Sequence, residues 1–130
     1  NQSGIARGLY TESDFHRLTE WMLKQFVAEH IAVTQVYYCP YHSEGTIPKY
    51  TQASELRKPN PGMILLAEKE HDLILSESVL VGDKETDIEA GIRAGLSSTV
   101  LVTPDPAVSS AANYRITSIR ELPSILGWDS

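Results

Sequence analysis

Two short apolar runs constrain this chain more than any other feature. Residues 78–82 read Ser-Val-Leu-Val-Gly, and residues 99–102 read Thr-Val-Leu-Val. Neither run alternates polar with apolar, so each is typical of a strand covered on both faces, as in a parallel sheet. Between them lies a helical stretch that opens near Glu85 and stops at Gly95, a natural residue for the position just past a helix end. Strand, helix, strand implies a crossover connection and parallel pairing. In such sheets ligands gather at the carboxyl ends of the strands, which directs attention to Gly82 and Asp83.

The other elements follow from local chemistry. Thr11 opens a helix through a capping-box pattern with Asp14 in the place of the usual Glu or Gln. Phe15, Leu18, Met22, Phe26 and Val27 then recur at helical spacing as far as about Glu29. Residues 32–38 are β-branched and aromatic, as a strand would be. Residues 39–61 form a polar loop with four prolines, and a loop of that length is usually functional. Asn60 and Pro61 suit the N-cap and first residue of a helix reaching about His71. Residues 114–117 predict a last short strand, and residues 119–126 a final helix. The fold class read from this order is α/β, a parallel sheet flanked by helices, in a single domain over residues 1–130.

Bulk properties exclude some functions. No apolar run approaches the roughly 18 residues that span a bilayer; the longest covers residues 63–67. The net charge of −6 argues against nucleic-acid binding, which draws on basic patches. The single cysteine, Cys39, excludes an internal disulfide and gives a cytoplasmic setting as the default.

Three short patterns carry chemistry. Asp83 ends the first apolar run and Asp87 follows four residues later. A hard carboxylate oxygen at a strand's carboxyl end suits Mg²⁺, although Asp83 as a helix cap and Asp87 as a solvated first-turn acid fit the same letters. Arg57 and Lys58 place two cations where a loop enters a helix, a natural anion site, although a solvated pair of cations reads the same way. Asn1-Gln2-Ser3-Gly4 offers small polar groups that donate hydrogen bonds to phosphate, or an ordinary turn. Lys58 precedes Asp83 by about 25 residues, which fits one helix and one strand and would turn both groups to a common crevice.

Asn-Gln-Ser-Gly, Arg-Lys-Pro-x-Pro-Gly-Met and Val-Gly-Asp-Lys-x-x-Asp, in that order, resemble phosphatases of the haloacid dehalogenase (HAD) superfamily. Within it they are similar to the heptose-bisphosphate phosphatase and histidinol-phosphatase family. Tyr37-Tyr38-Cys39-Pro40 and Tyr10-Thr11-Glu12 extend the resemblance over nearly the whole chain. It implies a Rossmann-like HAD sheet whose first strand or strands are missing from these residues, and a Mg²⁺-dependent phosphomonoesterase acting on a phosphosugar. Asn1, Gln2, Ser3, Arg57, Lys58 and Lys84 would contact substrate. Lys58 would also act in catalysis by neutralising the transferring phosphoryl group, Asp83 would hold Mg²⁺, and Asp87 would support the metal indirectly. The family's nucleophile belongs to an Asp-x-Asp segment followed by a Thr just ahead of Asn-Gln-Ser-Gly. Neither stands in these residues, so the chain alone is expected to be inactive.

The chain departs from the family at its zinc loop. The family's ligands follow Cys-x-His, twelve residues, then Cys-x-Cys; here Cys39 matches, but Tyr41, Ser54 and Leu56 stand at the other positions. One thiolate does not close a tetrahedral site, so no zinc is expected, and His42 is a surface residue. The implied partner is a small phosphorylated metabolite, with no nucleic acid or membrane, bound by a monomer. Histidinol phosphate as substrate, or a non-catalytic phosphate-binding remnant, are the alternatives.

Overall fold

A computed structural model describes residues 1–128. The chain divides into two compact units, one ending at Arg57 and the other starting at Lys58.

In the first unit, α1 (Ser3–Ala6) is a single turn, and α2 (Glu12–Ala28) is the long helix that Thr11 announces. Thr11 Oγ1 accepts from the Asp14 N–H at 3.0 Å, and Asp14 Oδ2 accepts from the Thr11 N–H at 2.9 Å. Asp substitutes for Glu in this box because the reciprocal bond needs only a carboxylate near the first turn. Ile5, Ala6, Phe15 and Cys39 are buried, and the Phe15 ring lies 4.6 Å from that of Tyr38. Of the predicted apolar stripe on α2 only Phe15 is buried; Leu18 and Val27 are exposed.

Residues 32–38 do not form the expected strand. β-Branched residues favour extended backbone, but a strand exists only where a ladder partner is present, and none pairs with this segment among the described residues. The proline-rich loop is more ordered than its composition suggests. It holds a turn of 3₁₀-helix over Pro48–Tyr50, and the Thr46 and Ile47 N–H groups both donate to the Ala6 carbonyl, at 2.7 and 2.9 Å.

The second unit is built on a three-stranded parallel sheet ordered β1 (Val79–Gly82), β2 (Ser98–Val102), β3 (Tyr114–Ile116). Val81 pairs with Val100, and Leu101 with Arg115. Because side chains alternate between faces, each apolar strand supplies two cores. On one face Leu80 and Leu101 pack with Ile88 from α4 (Glu85–Ala94). On the other, Val79, Val100, Val102 and Ile116 pack with Leu122 from α5 (Leu122–Ile125). Ile88 is fully buried, and a side chain of that size contributes about 2 kcal/mol. β2 thus has the covered faces that its unbroken apolar run requires, whereas β1 is only partly covered, with Val81 exposed.

α4 ends as expected, with Gly95 at φ +95° in the left-handed region. α3 (Gly62–His71) starts later than expected. Pro61 rather than Asn60 is its N-cap, and no side chain caps it. The predicted final helix is split into a 3₁₀ turn over Ile119–Glu121 and the short α5, with Pro123 in the first turn of α5.

Candidate active site

The site grows from the turn between β1 and α4. After Gly82 the chain places Asp83 at the carboxyl end of the sheet, Lys84 in extended conformation as N-cap, and Asp87 in the first turn of α4. Asp87 turns back on the turn that precedes it. Its Oδ2 accepts from the backbone N–H groups of Asp83 and Lys84, both at 3.1 Å. Its Oδ1 forms an ion pair with the ammonium of Lys58.

Glycine at position 82 has a physical reason. A Cβ there would overlap the Asp87 side chain, so only a bare Cα lets that carboxylate lie against the turn. Asp87 is therefore not the solvated first-turn acid that its position also allowed; it is buried. Burial opposes its ionisation, yet the hydrogen bond and charge of Lys58, joined by the Lys84 and Asp83 N–H groups, hold its carboxyl below the ordinary range.

Lys58 reaches this carboxylate from the start of its unit, next to a cis peptide to Pro59. Nearby, Asn60 Oδ1 accepts from Arg93 Nη1 at 3.4 Å, linking the segment before α3 to α4. Three predicted site residues, Lys58, Asp83 and Lys84, are thus brought together around Asp87. The sequence under-read that residue. The signal for it was present in the glycine ahead of Asp83 and the spacing of four residues that follows.

Asp83 itself is exposed, and its carboxylate makes no hydrogen bond or ion pair among the described residues. An open hard oxygen at the end of a parallel strand fits a Mg²⁺ ligand. The oxygens of Asp87 are already engaged, so Asp83 is the one of the two available to a metal. Lys84 is exposed beside it.

The remaining predicted contacts belong to the first unit. Asn1 is exposed, Gln2 Oε1 accepts from the Tyr10 hydroxyl, and Ser3 begins α1. Arg57 has Nη1 buried with no hydrogen-bond partner among the described residues. A guanidinium nitrogen in that condition is costly unless an anion satisfies it. Cys39 is buried, with its thiol directed to the Tyr41 carbonyl at 3.9 Å, and His42 Nδ1 accepts from the Glu44 N–H at 2.9 Å.

A family profile described as HAD-hydrolase-like matches residues 55–117, the stretch that holds Lys58, Asp83 and Asp87. A D-glycero-alpha-D-manno-heptose-1,7-bisphosphate 7-phosphatase of Burkholderia mallei is 46% identical over 130 residues, across 98% of this chain and 69% of its own. The chain belongs to the HAD-like phosphatases. A second relative in the family, the D-glycero-beta-D-manno-heptose-1,7-bisphosphate 7-phosphatase of Escherichia coli K12, is 37% identical across 97% of this chain and 68% of its own. Among solved HAD-like phosphatases, one from Mesorhizobium loti superposes with a TM-score of 0.85 at 38% identity. That comparison covers 98% of this chain and 61% of the M. loti chain.

Proposed function

We propose that this HAD-like phosphatase chain takes part in Mg²⁺-dependent hydrolysis of a phosphosugar monoester, the 7-phosphate of D-glycero-D-manno-heptose 1,7-bisphosphate. The observation that carries the reading is the cluster in which Asp87 holds Lys58 beside the Asp83–Lys84 turn. A phosphoryl group in transfer spreads negative charge over its oxygens, so catalysis rests on cations fixed in advance. The Asp87 carboxylate fixes the Lys58 ammonium through one oxygen and the turn bearing Asp83 through the other. Lys58 would neutralise the phosphoryl oxygens, and Lys84 would bind the substrate. Asp83 would hold Mg²⁺, which supplies further charge neutralisation when bound.

Arg57, Asn1, Gln2 and Ser3 would bind the sugar phosphate, a role supported for Arg57 by its unsatisfied Nη1. The attacking carboxylate, by resemblance, is an aspartate ahead of Asn1 in the complete polypeptide; the present residues alone would not turn over. The relatives are named for both anomers, so both belong in the assay. We further propose a monomeric cytoplasmic enzyme without structural zinc.

Phosphate release by the complete polypeptide tests the reading. Lys58→Met should lower kcat by roughly 10²–10³ while leaving the circular dichroism spectrum intact. Asp83→Asn should raise the Mg²⁺ concentration needed for half-maximal rate. Near-normal kcat in the Lys58 variant would sink the proposal. Faster turnover of histidinol phosphate than of either heptose bisphosphate would correct the substrate.

A further inference from the structure

The loop after β2, residues 103–113, leaves the sheet at the same end as Asp83, because β1 and β2 are parallel with Gly82 beside Leu101. Its start is fixed within itself and its finish is fixed to β2. At the start, Thr103 Oγ1 accepts from the Asp105 N–H at 3.3 Å and Asp105 Oδ1 from the Ala107 N–H at 2.9 Å. At the finish, Asn113 Oδ1 accepts from the N–H and the hydroxyl of buried Thr99, at 2.8 and 3.0 Å.

The approach to that finish is held by Glu85, the first residue of α4 and two positions after Asp83. Glu85 Oε2 accepts from the Ser110 hydroxyl at 2.6 Å, and Oε1 from the Ala111 N–H at 2.8 Å. Ser110 is secured further, since its Oγ accepts from the Ala112 N–H at 3.0 Å and its carbonyl from Arg115 Nη2 at 2.9 Å. An acid that served only the helix dipole would need no such partners. Both oxygens of Glu85 are instead committed to the loop beyond β2, 25 and 26 residues away in sequence.

We propose that Glu85 is a positioning residue that fastens the 103–113 loop beside Asp83 and Lys84, where the loop forms a wall for the non-reacting part of the substrate. The fastening stands on geometry alone, whereas the consequence for substrate rests on the phosphatase reading. A wall of this kind acts on binding of the sugar and leaves the phosphoryl step to Lys58 and its neighbours.

Two readouts test it. In hydrogen exchange on the full chain, Glu85→Ala should speed exchange of the Ala111 amide and its loop neighbours by about tenfold or more, with β2 still protected. Glu85→Gln keeps an acceptor for the Ala111 N–H and should lie closer to the unsubstituted chain. Should Glu85→Ala fail to fold, Ser110→Ala removes one of the same bonds and should give a smaller increase in exchange. In the complete phosphatase, Glu85→Ala should raise KM for the heptose bisphosphate about three- to tenfold with kcat within about twofold, a split that follows from lost uniform binding.

Unchanged exchange in Glu85→Ala, or in Ser110→Ala where that variant stands in, overturns the fastening. A freed loop with unchanged KM overturns the role in substrate positioning. Absence of turnover by the unsubstituted complete protein would instead remove the phosphatase reading, and the exchange data tell the two failures apart.

Discussion

At the scale of single residues, Asp87 does more than its letter pattern suggested. A carboxylate four residues after another reads equally well as surface charge, and only the glycine at position 82 hints that it folds back. Removing it takes away the carboxylate that the Lys58 ammonium and two N–H groups share. Asp87→Ala should therefore cost at least about 2–3 kcal/mol, measured by urea unfolding, since even a single hydrogen bond to a charged group carries about 1.5–3 kcal/mol. A loss under about 0.5 kcal/mol, the size of an ordinary surface substitution, would show that the ion pair is incidental. Gly82→Ala should destabilise by about 1–3 kcal/mol, because the added methyl overlaps the Asp87 side chain. The roles proposed for Asn1, Gln2 and Ser3 rest on resemblance alone, because a polar tetrapeptide has no pattern of its own.

Among the elements, those with strong local signals were read to within a residue or two. The capping box fixed the start of α2, and Gly95 fixed the end of α4. Segments whose state depends on a partner were misread. Residues 32–38 have strand composition but no ladder, and the stripe of α2 is mostly uncovered, since neither property lies in the segment itself. For α2 the cap can be tested. Thr11→Ala should cost about 1 kcal/mol of stability. Asp14 has its pKa lowered by hydrogen bonds from the Thr11 backbone and side chain, against an opposing effect of burial, with a lesser contribution from the charge of Arg17. A depressed carboxyl stabilises the fold fully above its unfolded pKa and loses that contribution as pH falls through the folded value. The gap in melting temperature between the unsubstituted chain and Asp14→Asn should thus be present at neutral pH and close below about pH 4. A gap independent of pH would remove the capping charge from the account.

For the molecule as a whole, the parallel sheet was legible from two apolar runs and one helix between them, because strands of a parallel sheet read as near-continuous apolar runs. The division at Arg57 and Lys58 was not legible, since two adjacent cations give no sign of a boundary. The expected lack of zinc also belongs at this scale. Metal analysis of the purified complete protein should find far less than one zinc per chain, whereas stoichiometric zinc would mean that residues other than Tyr41, Ser54 and Leu56 supply ligands.

The pairing of Lys58 with Asp87 also bears on ancestry. A lineage that gave up the cation would be left with a buried anion answered only by two backbone N–H groups, and one that gave up the anion would lose the aim of its cation. Across descendants the two sites should change hands jointly, with intermediates holding only one of them short-lived.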